Sequence, residues 1–173
     1  MSLYLVGMRA VGKTSAGRLT AERLGVPFLD TDAEVERRVG CAVTQIFATQ
    51  GEAAFRRCER EVVLQALTLP GTVVATGAGA VLDSAVRGAL RESRRAVWLV
   101  AAIELVRERL AGLDRPSLTG RPPAAESASL LRQREPLYEA CASVRIDVTR
   151  LSMSEVADEL ERIWSLSAGD VVR

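Results

Sequence analysis

The chain has 173 residues, of which 48% are hydrophobic and 26% charged, and its formal net charge at pH 7 is +1. A length of this order predicts a single domain, here 1–173, with a substantial buried core. The near-neutral charge gives no electrostatic footprint for nucleic acid, and the apolar runs are too short to cross a membrane, so we expect neither kind of partner.

The first predicted elements are a strand, a glycine-rich loop and a helix. Leu3–Val6 is a short apolar run typical of a buried parallel strand. The loop Gly7–Thr14 fits the phosphate-loop pattern G-x-x-x-x-G-K-[ST] in full. The helix that follows is predicted to end at Gly25. In this order of elements the loop amides and the helix N-terminus converge on an anion, as the motif requires.

The loop contains Lys13, the only lysine among the 23 basic residues of the chain. A compact ammonium fits between the β- and γ-phosphates inside a tight loop, whereas a guanidinium is a broad planar fork. The hydroxyl of Thr14 can ligate Mg²⁺. The sequence therefore predicts binding of a nucleoside triphosphate with Mg²⁺. The residues predicted to contact it are Gly7, Ala10, Val11, Gly12, Lys13, Thr14 and Ser15.

The rest of the chain alternates strands and helices. Strands are predicted at 27–29, 71–76, 96–100 and 144–148, and helices at 32–39, 44–49, 52–68, 83–92, 103–111 and 126–138, with a last helix capped by Ser152 and Glu155. The tail after Leu166 is expected to fray. This alternation predicts an α/β fold in which helices cover both faces of a parallel sheet. We therefore expect ligands to bind beyond the carboxyl ends of the strands.

Two further segments follow predicted strands and so belong to the same edge of the sheet. Asp30 and Asp32 flank Thr31, and in an extended segment their carboxylates point the same way. One could hold Mg²⁺ while the other accepts a proton from an acceptor hydroxyl; the alternative for Asp32 is a helix cap. Gly77-Ala78-Gly79 permits close approach of the backbone to a ligand, and a simple turn is the alternative.

Several arginines are candidates for binding anions. Arg56 lies on a predicted helix among glutamates, where a solvated salt-bridged surface is the alternative. Residues 112–125 interrupt the α/β alternation and predict a functional loop or lid, which carries Arg115 and Arg121. Arg134 lies on the helix that follows. Such arginines commonly stabilise the charge of a moving phosphoryl group, but loop arginines also simply increase solubility.

The residue types that are missing narrow the chemistry. The chain has no histidine, which removes imidazole bases, Ser-His-Asp triads and His-ligated zinc, and no asparagine, which removes the guanine-binding Asn-Lys-x-Asp motif. Acid–base chemistry must come from Asp, Glu, Lys13 or water. The three cysteines lack metal-type spacing, and the N-terminus leads straight into a strand without room for a signal peptide. We therefore expect reduced thiols and a cytoplasmic location.

The motifs taken together resemble the shikimate kinase family, from residue 3 to about residue 165. The phosphate loop is shared with many folds, whereas the patterns Asp-Thr-Asp, Gly-Glu-x-x-Phe-Arg and Arg-x-Pro-Leu-Tyr in this order are much more specific. The segments that carry the resemblance beyond the loop are Leu29–Asp32 with Glu36 and Gly40, Ile46-Phe47, Gly51-Glu52 with Phe55-Arg56, Ala75–Gly77 with Gly79, Arg115-Pro116 and Arg134–Tyr138.

The resemblance implies a three-layer α/β fold with a five-stranded parallel sheet, a P-loop NTPase of the nucleoside monophosphate kinase type. It implies transfer of the γ-phosphoryl group of ATP to the 3-hydroxyl of shikimate, in aromatic amino-acid biosynthesis. It also implies a substrate-binding segment at about 31–60 and a lid at about 112–125. We expect a monomer whose small-molecule partners are ATP and shikimate.

The family pattern also implies roles for particular residues. Lys13 and Arg115 would stabilise phosphate charge, and Asp32 would hold the acceptor hydroxyl. A pair of arginines would bind the shikimate carboxylate, which suits the bidentate geometry of a guanidinium. The resemblance implies that the catalytic residues are Lys13, Asp32 and Arg115, and that Thr14 and Asp30 bind Mg²⁺. The residues implied to bind the substrate are Asp32, Arg56, Gly77, Ala78, Gly79 and Arg134. Arg109 is expected to stack on the adenine ring.

The chain departs from the family pattern at a few positions. Ala78 stands where the family usually has glycine, and its methyl group could crowd the substrate or demand a negative φ. Ala10-Val11 and Ser117-Leu118 also differ from the usual residues. These departures leave three alternatives open: a gluconate-type kinase, a nucleoside monophosphate kinase, and a catalytically silent regulator on the same fold.

Overall fold

The computed structural model describes residues 1–111 and 123–166, without the side chains of 123–127. The strands are β1 (Leu3–Val6), β2 (Phe28–Asp30), β3 (Val73–Ala75), β4 (Ala96–Val100) and β5 (Val144–Asp147). The helices are α1 (Lys13–Leu24), α2 (Thr31–Val39), α3 (Val43–Ala66), α4 (Ser84–Ser93), α5 (Ile103–Ala111), α6 (Pro123–Cys141) and α7 (Met153–Ser165), with a short 3₁₀ turn at Ala80–Leu82.

The five strands form one parallel sheet in the order β2-β3-β1-β4-β5. The apolar runs that predicted β1, β3 and β4 are buried along their whole length. Right-handed crossovers place α1 and α7 on one face of the sheet, where they pack together, and the helices from α3 to α6 on the other face. The predicted three-layer α/β architecture is confirmed.

The order of the strands brings the predicted ligand-binding segments together. β1 lies between β3 and β4, so the loop after β1 has the loop after β3 as its direct neighbour. β2, which ends at Asp30, lies on the far side of β3. Because all strands are parallel, these three loops emerge at the same edge of the sheet.

The break predicted between the helices at 44–49 and 52–68 is confirmed: α3 contains two helical segments that meet at Gly51, whose φ of 79° and ψ of 169° are not helical. Other predicted boundaries are wrong. α2 begins at Thr31 rather than 32, and α6 begins at Pro123, inside the segment expected to be irregular. Residues 112–122 of the predicted lid and the tail after Leu166 lie outside the described residues.

Other expectations agree with the structure. The capping box of α7 is confirmed: Ser152 Oγ accepts from the Glu155 amide, and the Glu155 carboxylate accepts from the Ser152 amide. The three cysteines are free thiols, of which Cys141 is buried. Among the helices of 1–111 and 123–166, none is both long enough and apolar enough to cross a membrane.

The contact between α1 and the sheet depends on a glycine inside the helix. A Cβ on Gly17 would lie 2.8 Å from Cε2 of Phe28 and 3.0 Å from Cδ1 of Leu5. Glycine is a poor helix former, but here it allows the helix that carries the phosphate loop to approach β1 and β2 closely. Gly88 in α4 is a matched helical glycine, because a Cβ there would meet nothing within 4 Å.

We predict opposite effects for alanine at these two glycines. Gly17→Ala should lower the free energy of unfolding by about 1–3 kcal/mol, since the added methyl overpacks the helix–sheet contact. Gly88→Ala should raise it by about 0.5–1 kcal/mol through helix propensity alone. Urea unfolding of both variants measures the difference. A Gly17→Ala protein stabilised as much as Gly88→Ala would contradict this account of the packing.

Candidate functional site

The phosphate loop leaves β1 in a conformation that requires glycine. Gly7 has a φ of 142°, and a Cβ at this position would collide with the carbonyl oxygen of Leu99 on β4. Gly12 has a φ of 102° and is the N-cap of α1. The two glycines of the motif therefore bend the loop back over the start of the helix, whose first amide groups point out of the sheet edge.

The ammonium of Lys13 lies inside this loop. It donates hydrogen bonds to the carbonyl oxygens of Gly7 and Met8, both at 2.8 Å, and the residue is 8% exposed. Burial lowers the pKa of Lys13 from its ordinary value to about 8, although the carboxylates of Asp32 and Asp30 oppose the shift. The loop thus holds a cation whose desolvation an incoming phosphate group can compensate.

Ala10 and Val11, two positions where the chain differs from the family pattern, have distinct environments in the structure. Ala10 has a φ of 64°, a left-handed conformation that is unusual for a residue with a side chain, whereas Val11 is buried in the main core. The Ala10 carbonyl accepts a hydrogen bond from Nη1 of Arg109 at 3.0 Å. The structure therefore brings Arg109 to the phosphate loop, and its placement on adenine stays a prediction.

The carboxylate of Asp30 joins the phosphate loop to α2. Its Oδ2 accepts a hydrogen bond from the Thr14 hydroxyl at 2.7 Å, and its Oδ1 accepts from the amides of Asp32 and Ala33. Asp30 is therefore the N-cap of α2, and the alternative that Asp32 caps this helix is wrong. The expected extended segment is also wrong at Asp32, which lies in the first turn of the helix because Thr31 already has helical geometry.

Two glycines of the segment Gly77–Gly79 have no room for a side chain. A Cβ on Gly77 would overlap Oδ1 of Asp32 and Oε1 of Glu59, and a Cβ on Gly79 would overlap the guanidinium of Arg56. The segment forms a turn, with the Ala80 amide donating to the Gly77 carbonyl at 3.1 Å, and it is in close contact on both sides. Two carboxylates and an arginine therefore pack directly against this segment, which we call the floor of the site.

The middle residue of this segment, Ala78, is held by its carbonyl group. The carbonyl oxygen accepts a hydrogen bond from the Tyr138 hydroxyl at 2.7 Å and a longer one from Nη1 of Arg134 at 3.3 Å. Among the described residues only Ala10 and Arg94 combine a side chain with a positive φ, so Ala78 has the negative φ that an alanine needs. The backbone here accommodates alanine without strain.

Arg56 extends from α3 across this floor between two glutamates. Its Nη1 lies 2.6 Å from Oε2 of Glu59, and its Nε and Nη2 donate to Oε1 of Glu52 at 3.1 and 3.0 Å. Glu59 is 2% exposed. Burial raises the pKa of the Glu59 carboxyl, although the Arg56 guanidinium opposes the shift. Three of the five N–H groups of Arg56 are thus used, and two remain for a ligand.

Three residues of the site were not identified from the sequence. Glu59 is one of the glutamates around Arg56 for which a solvated, salt-bridged surface is the alternative, but it occupies the buried face of α3 together with Phe55 and Val62. This helical spacing is the signal that could have shown a buried carboxylate. The Thr31 hydroxyl accepts a hydrogen bond from the Gly77 amide at 2.9 Å, and the Tyr138 hydroxyl donates one to the Ala78 carbonyl. No local sequence pattern indicates either contact.

The structure therefore brings most of the predicted residues to one edge of the sheet. Arg115 and Arg121 lie outside the described residues. The predicted residues that the structure places around the phosphate loop are Gly7, Ala10, Val11, Gly12, Lys13, Thr14, Asp30 and Arg109, with Ser15 exposed on the first turn of α1; those around the glycine segment are Asp32, Arg56, Gly77, Ala78, Gly79 and Arg134.

A phosphate loop beside a cluster of carboxylates and arginines is typical of one class of protein, the P-loop kinases that phosphorylate a small molecule. A family model described as shikimate kinase matches residues 9–164. A shikimate kinase from Symbiobacterium thermophilum is 44% identical over 163 residues, covering 92% of this chain and 94% of that protein. The chain belongs to the shikimate kinase family.

Solved structures agree with this assignment. The shikimate kinase from Acinetobacter baumannii in complex with shikimate superposes with a TM-score of 0.86 at 34% identity, covering 94% of this chain and 92% of that one. A gluconokinase from Sinorhizobium meliloti gives a TM-score of 0.54 at 23% identity, which shows the fold alone. The predicted P-loop fold of the nucleoside monophosphate kinase type is confirmed.

The lowered pKa of Lys13 leads to a pH-dependent affinity for ATP. Between about pH 7.5 and 9.5 the empty protein loses the Lys13 proton, whereas bound phosphates keep the ammonium charged, so the dissociation constant should rise with pH above about 8. The slope should approach about tenfold per pH unit. Isothermal titration at several pH values measures it.

Lys13→Arg is the matched control for this titration. A guanidinium remains charged throughout this range, so its weak residual affinity should not change with pH. A dissociation constant for ATP in the wild type that stays the same from about pH 7.5 to 9.5 would contradict the assignment of the titration to Lys13.

Proposed function

We propose that the protein transfers the γ-phosphoryl group of ATP to the 3-hydroxyl of shikimate, giving shikimate 3-phosphate and ADP. Membership of the shikimate kinase family supports this activity. The observation that carries it to the residues of this chain is the convergence of Asp32, Arg56 and Arg134 on the segment Gly77–Gly79, directly beside Lys13. Such a pocket presents one carboxylate and two guanidinium groups to a small hydroxy acid.

On the nucleotide side, Lys13 and the amides of the phosphate loop bind the β- and γ-phosphates. The hydroxyl of Thr14 and the carboxylate of Asp30 are hard oxygen donors 2.7 Å apart, and this donor set fits Mg²⁺, which in kinases is held by few protein ligands together with phosphates and water. When bound, Mg²⁺ would neutralise charge on the phosphates. Asp30 is prepared for this role because its other oxygen is occupied by the cap of α2.

On the acceptor side, Asp32 holds the hydroxyl group that is phosphorylated. Its Oδ1 lies against Gly77, close to the buried carboxyl of Glu59, and its charge acts on the ammonium of Lys13. Asp32 therefore stands between the phosphate loop and the pocket. The phosphoryl transition state is loose, so orientation of the hydroxyl comes first and acceptance of its proton second.

The carboxylate of shikimate is bound by Arg56 and Arg134. Arg134 is 6% exposed and donates one long hydrogen bond to the Ala78 carbonyl. Arg56 keeps two N–H groups beyond its contacts with Glu52 and Glu59. Two partly desolvated guanidinium groups form strong, directional bonds to a carboxylate, which would orient the ring on the glycine segment.

Arg115 is proposed to stabilise the charge of the transferred phosphoryl group from the lid at about 112–125, which closes over both substrates and excludes water. This residue lies outside the described residues. We propose that the protein acts as a monomer. The three free thiols fit a cytoplasmic location.

A coupled assay of ADP release tests the proposed function. The wild type should phosphorylate shikimate with a kcat/KM at least about a hundredfold higher than for gluconate or a nucleoside monophosphate, which do not present a carboxylate and a hydroxyl on one ring to the arginine pair and Asp32. Quinate, which is also a ring carboxylic acid with hydroxyl groups, should be phosphorylated less efficiently than shikimate. Release of ADP with gluconate or a nucleotide instead would assign the site to that acceptor. No turnover with any of them, despite ATP binding, would favour a silent regulator.

We predict that Asp32→Asn separates acceptor chemistry from nucleotide binding. The amide keeps the size of the side chain but loses the charge, so kcat should fall by about 10²–10⁴ while the dissociation constant for ATP changes less than about twofold. Asp30→Asn is the matched control, because it should weaken the binding of Mg²⁺ with ATP. Loss of ATP binding with unchanged kcat in Asp32→Asn would move Asp32 to the metal site.

A further inference from the structure

Tyr138 contacts three residues that come from different elements of the fold. Its hydroxyl donates to the Ala78 carbonyl at 2.7 Å and lies 3.7 Å from Sδ of Met8 in the phosphate loop. Its ring stacks on Trp98 of β4 at a centroid distance of 5.9 Å. On α6 it lies one turn after Arg134, and the residue is fully buried. One hydroxyl therefore lies between the phosphate loop and the acceptor pocket.

The Ala78 carbonyl has two described donors of unequal quality. The Tyr138 hydroxyl is short, at 2.7 Å, whereas Nη1 of Arg134 is at 3.3 Å. The carbonyl is buried with its residue, so it needs a donor. As long as Tyr138 supplies the strong bond, Arg134 can turn its N–H groups toward a substrate carboxylate without leaving the carbonyl unsatisfied.

The same bond sets the position of the glycine segment. Gly77 and Gly79 pack without space against Asp32, Glu59 and Arg56, so a displacement of Ala78 between them changes all three contacts. Burial raises the pKa of the Tyr138 hydroxyl above its ordinary value, which keeps it a neutral donor over the whole working pH range.

We propose that Tyr138 is a positioning residue for the acceptor: by holding the Ala78 carbonyl, it leaves Arg134 available to the substrate carboxylate and fixes the floor of the pocket. This inference rests on the proposed function and deepens it. When the hydroxyl is absent, Arg134 becomes the remaining described donor to the carbonyl, and its guanidinium is drawn away from the substrate.

The chain offers a matched control, because its two tyrosines each donate to a main-chain carbonyl from a buried position. Tyr4 on β1 donates to the Leu67 carbonyl at 3.1 Å, at the opposite end of the sheet strands from the site. Tyr138→Phe and Tyr4→Phe therefore remove the same chemical group. Both should lower the midpoint of thermal unfolding, and only Tyr138→Phe should affect the acceptor.

For Tyr138→Phe we expect the dissociation constant and KM for shikimate to rise about tenfold, with kcat lowered less than about threefold and ATP affinity within about twofold of wild type. Tyr4→Phe should leave all of these unchanged. Titration calorimetry and steady-state kinetics measure them. Shikimate affinity in Tyr138→Phe within about twofold of that in Tyr4→Phe overturns the proposal.

A double-mutant cycle tests whether Tyr138 acts through Arg134. In an Arg134→Lys background, adding Tyr138→Phe should weaken shikimate affinity by a clearly smaller factor than it does in the wild type, because the effect that acts through Arg134 is already lost and only the effect on the glycine segment remains. Multiplicative effects of the two substitutions overturn the proposal.

A further measurement does not depend on the folding of Tyr138→Phe. In Tyr4→Phe the only tyrosine is Tyr138, so labelling with 3-fluorotyrosine gives one ¹⁹F resonance. Saturating shikimate should shift this resonance in the Tyr4→Phe protein, and an unshifted resonance overturns the proposal. If the wild-type protein does not bind shikimate, the proposed function is overturned and this inference with it. If the wild type phosphorylates shikimate and Tyr138→Phe binds shikimate as tightly as the wild type does, this inference alone is overturned.

Discussion

The site depends on the lack of space around Gly77 and Gly79. Because neither residue can carry a Cβ, the backbone after β3 approaches Asp32 and Glu59 on one side and Arg56 on the other. α2 and α3 supply these side chains, so the two glycines are the place where this pair of helices meets the edge of the sheet. Ala78 fits between them because its conformation suits an alanine and its carbonyl is held by α6. The departure from the family pattern is thus accommodated at the one position of the three with room for it.

Burial and neighbouring groups of opposite charge together determine the pKa values of the buried charged residues in the site. Lys13 is buried among loop carbonyls and has a lowered pKa, whereas the buried Glu59 has a raised one and is held by Arg56. Burial disfavours the charged form of each group, and it is opposed by the carboxylates near Lys13 and by the guanidinium near Glu59. Tyr138 holds the backbone of the glycine segment that lies between these groups.

The sequence by itself determined the features that depend on residues close together in the chain. Phosphate loop, apolar strands, α/β alternation and the capping box of α7 were all predicted, because each follows from local spacing and local backbone geometry. The meeting of the candidate segments at one edge of the sheet also followed, since parallel strands end on the same side. The break at Gly51 was predicted from local sequence as well, and the boundary error at Thr31 is also local, because Asp30 caps α2 one residue earlier than expected.

Only the tertiary structure decided which polar groups share the interior of the site. Glu59 lies on a helix rich in charged residues, and its burial depends on the face that α3 turns toward the glycine segment. Thr31 reaches the Gly77 amide across 46 positions of sequence, and Tyr138 reaches the Ala78 carbonyl across 60. No local pattern reports such contacts, because they arise when helices on one face of the sheet dock against a loop from its edge. Local propensities determine the elements, and close packing between distant elements determines which side chain becomes the neighbour of which.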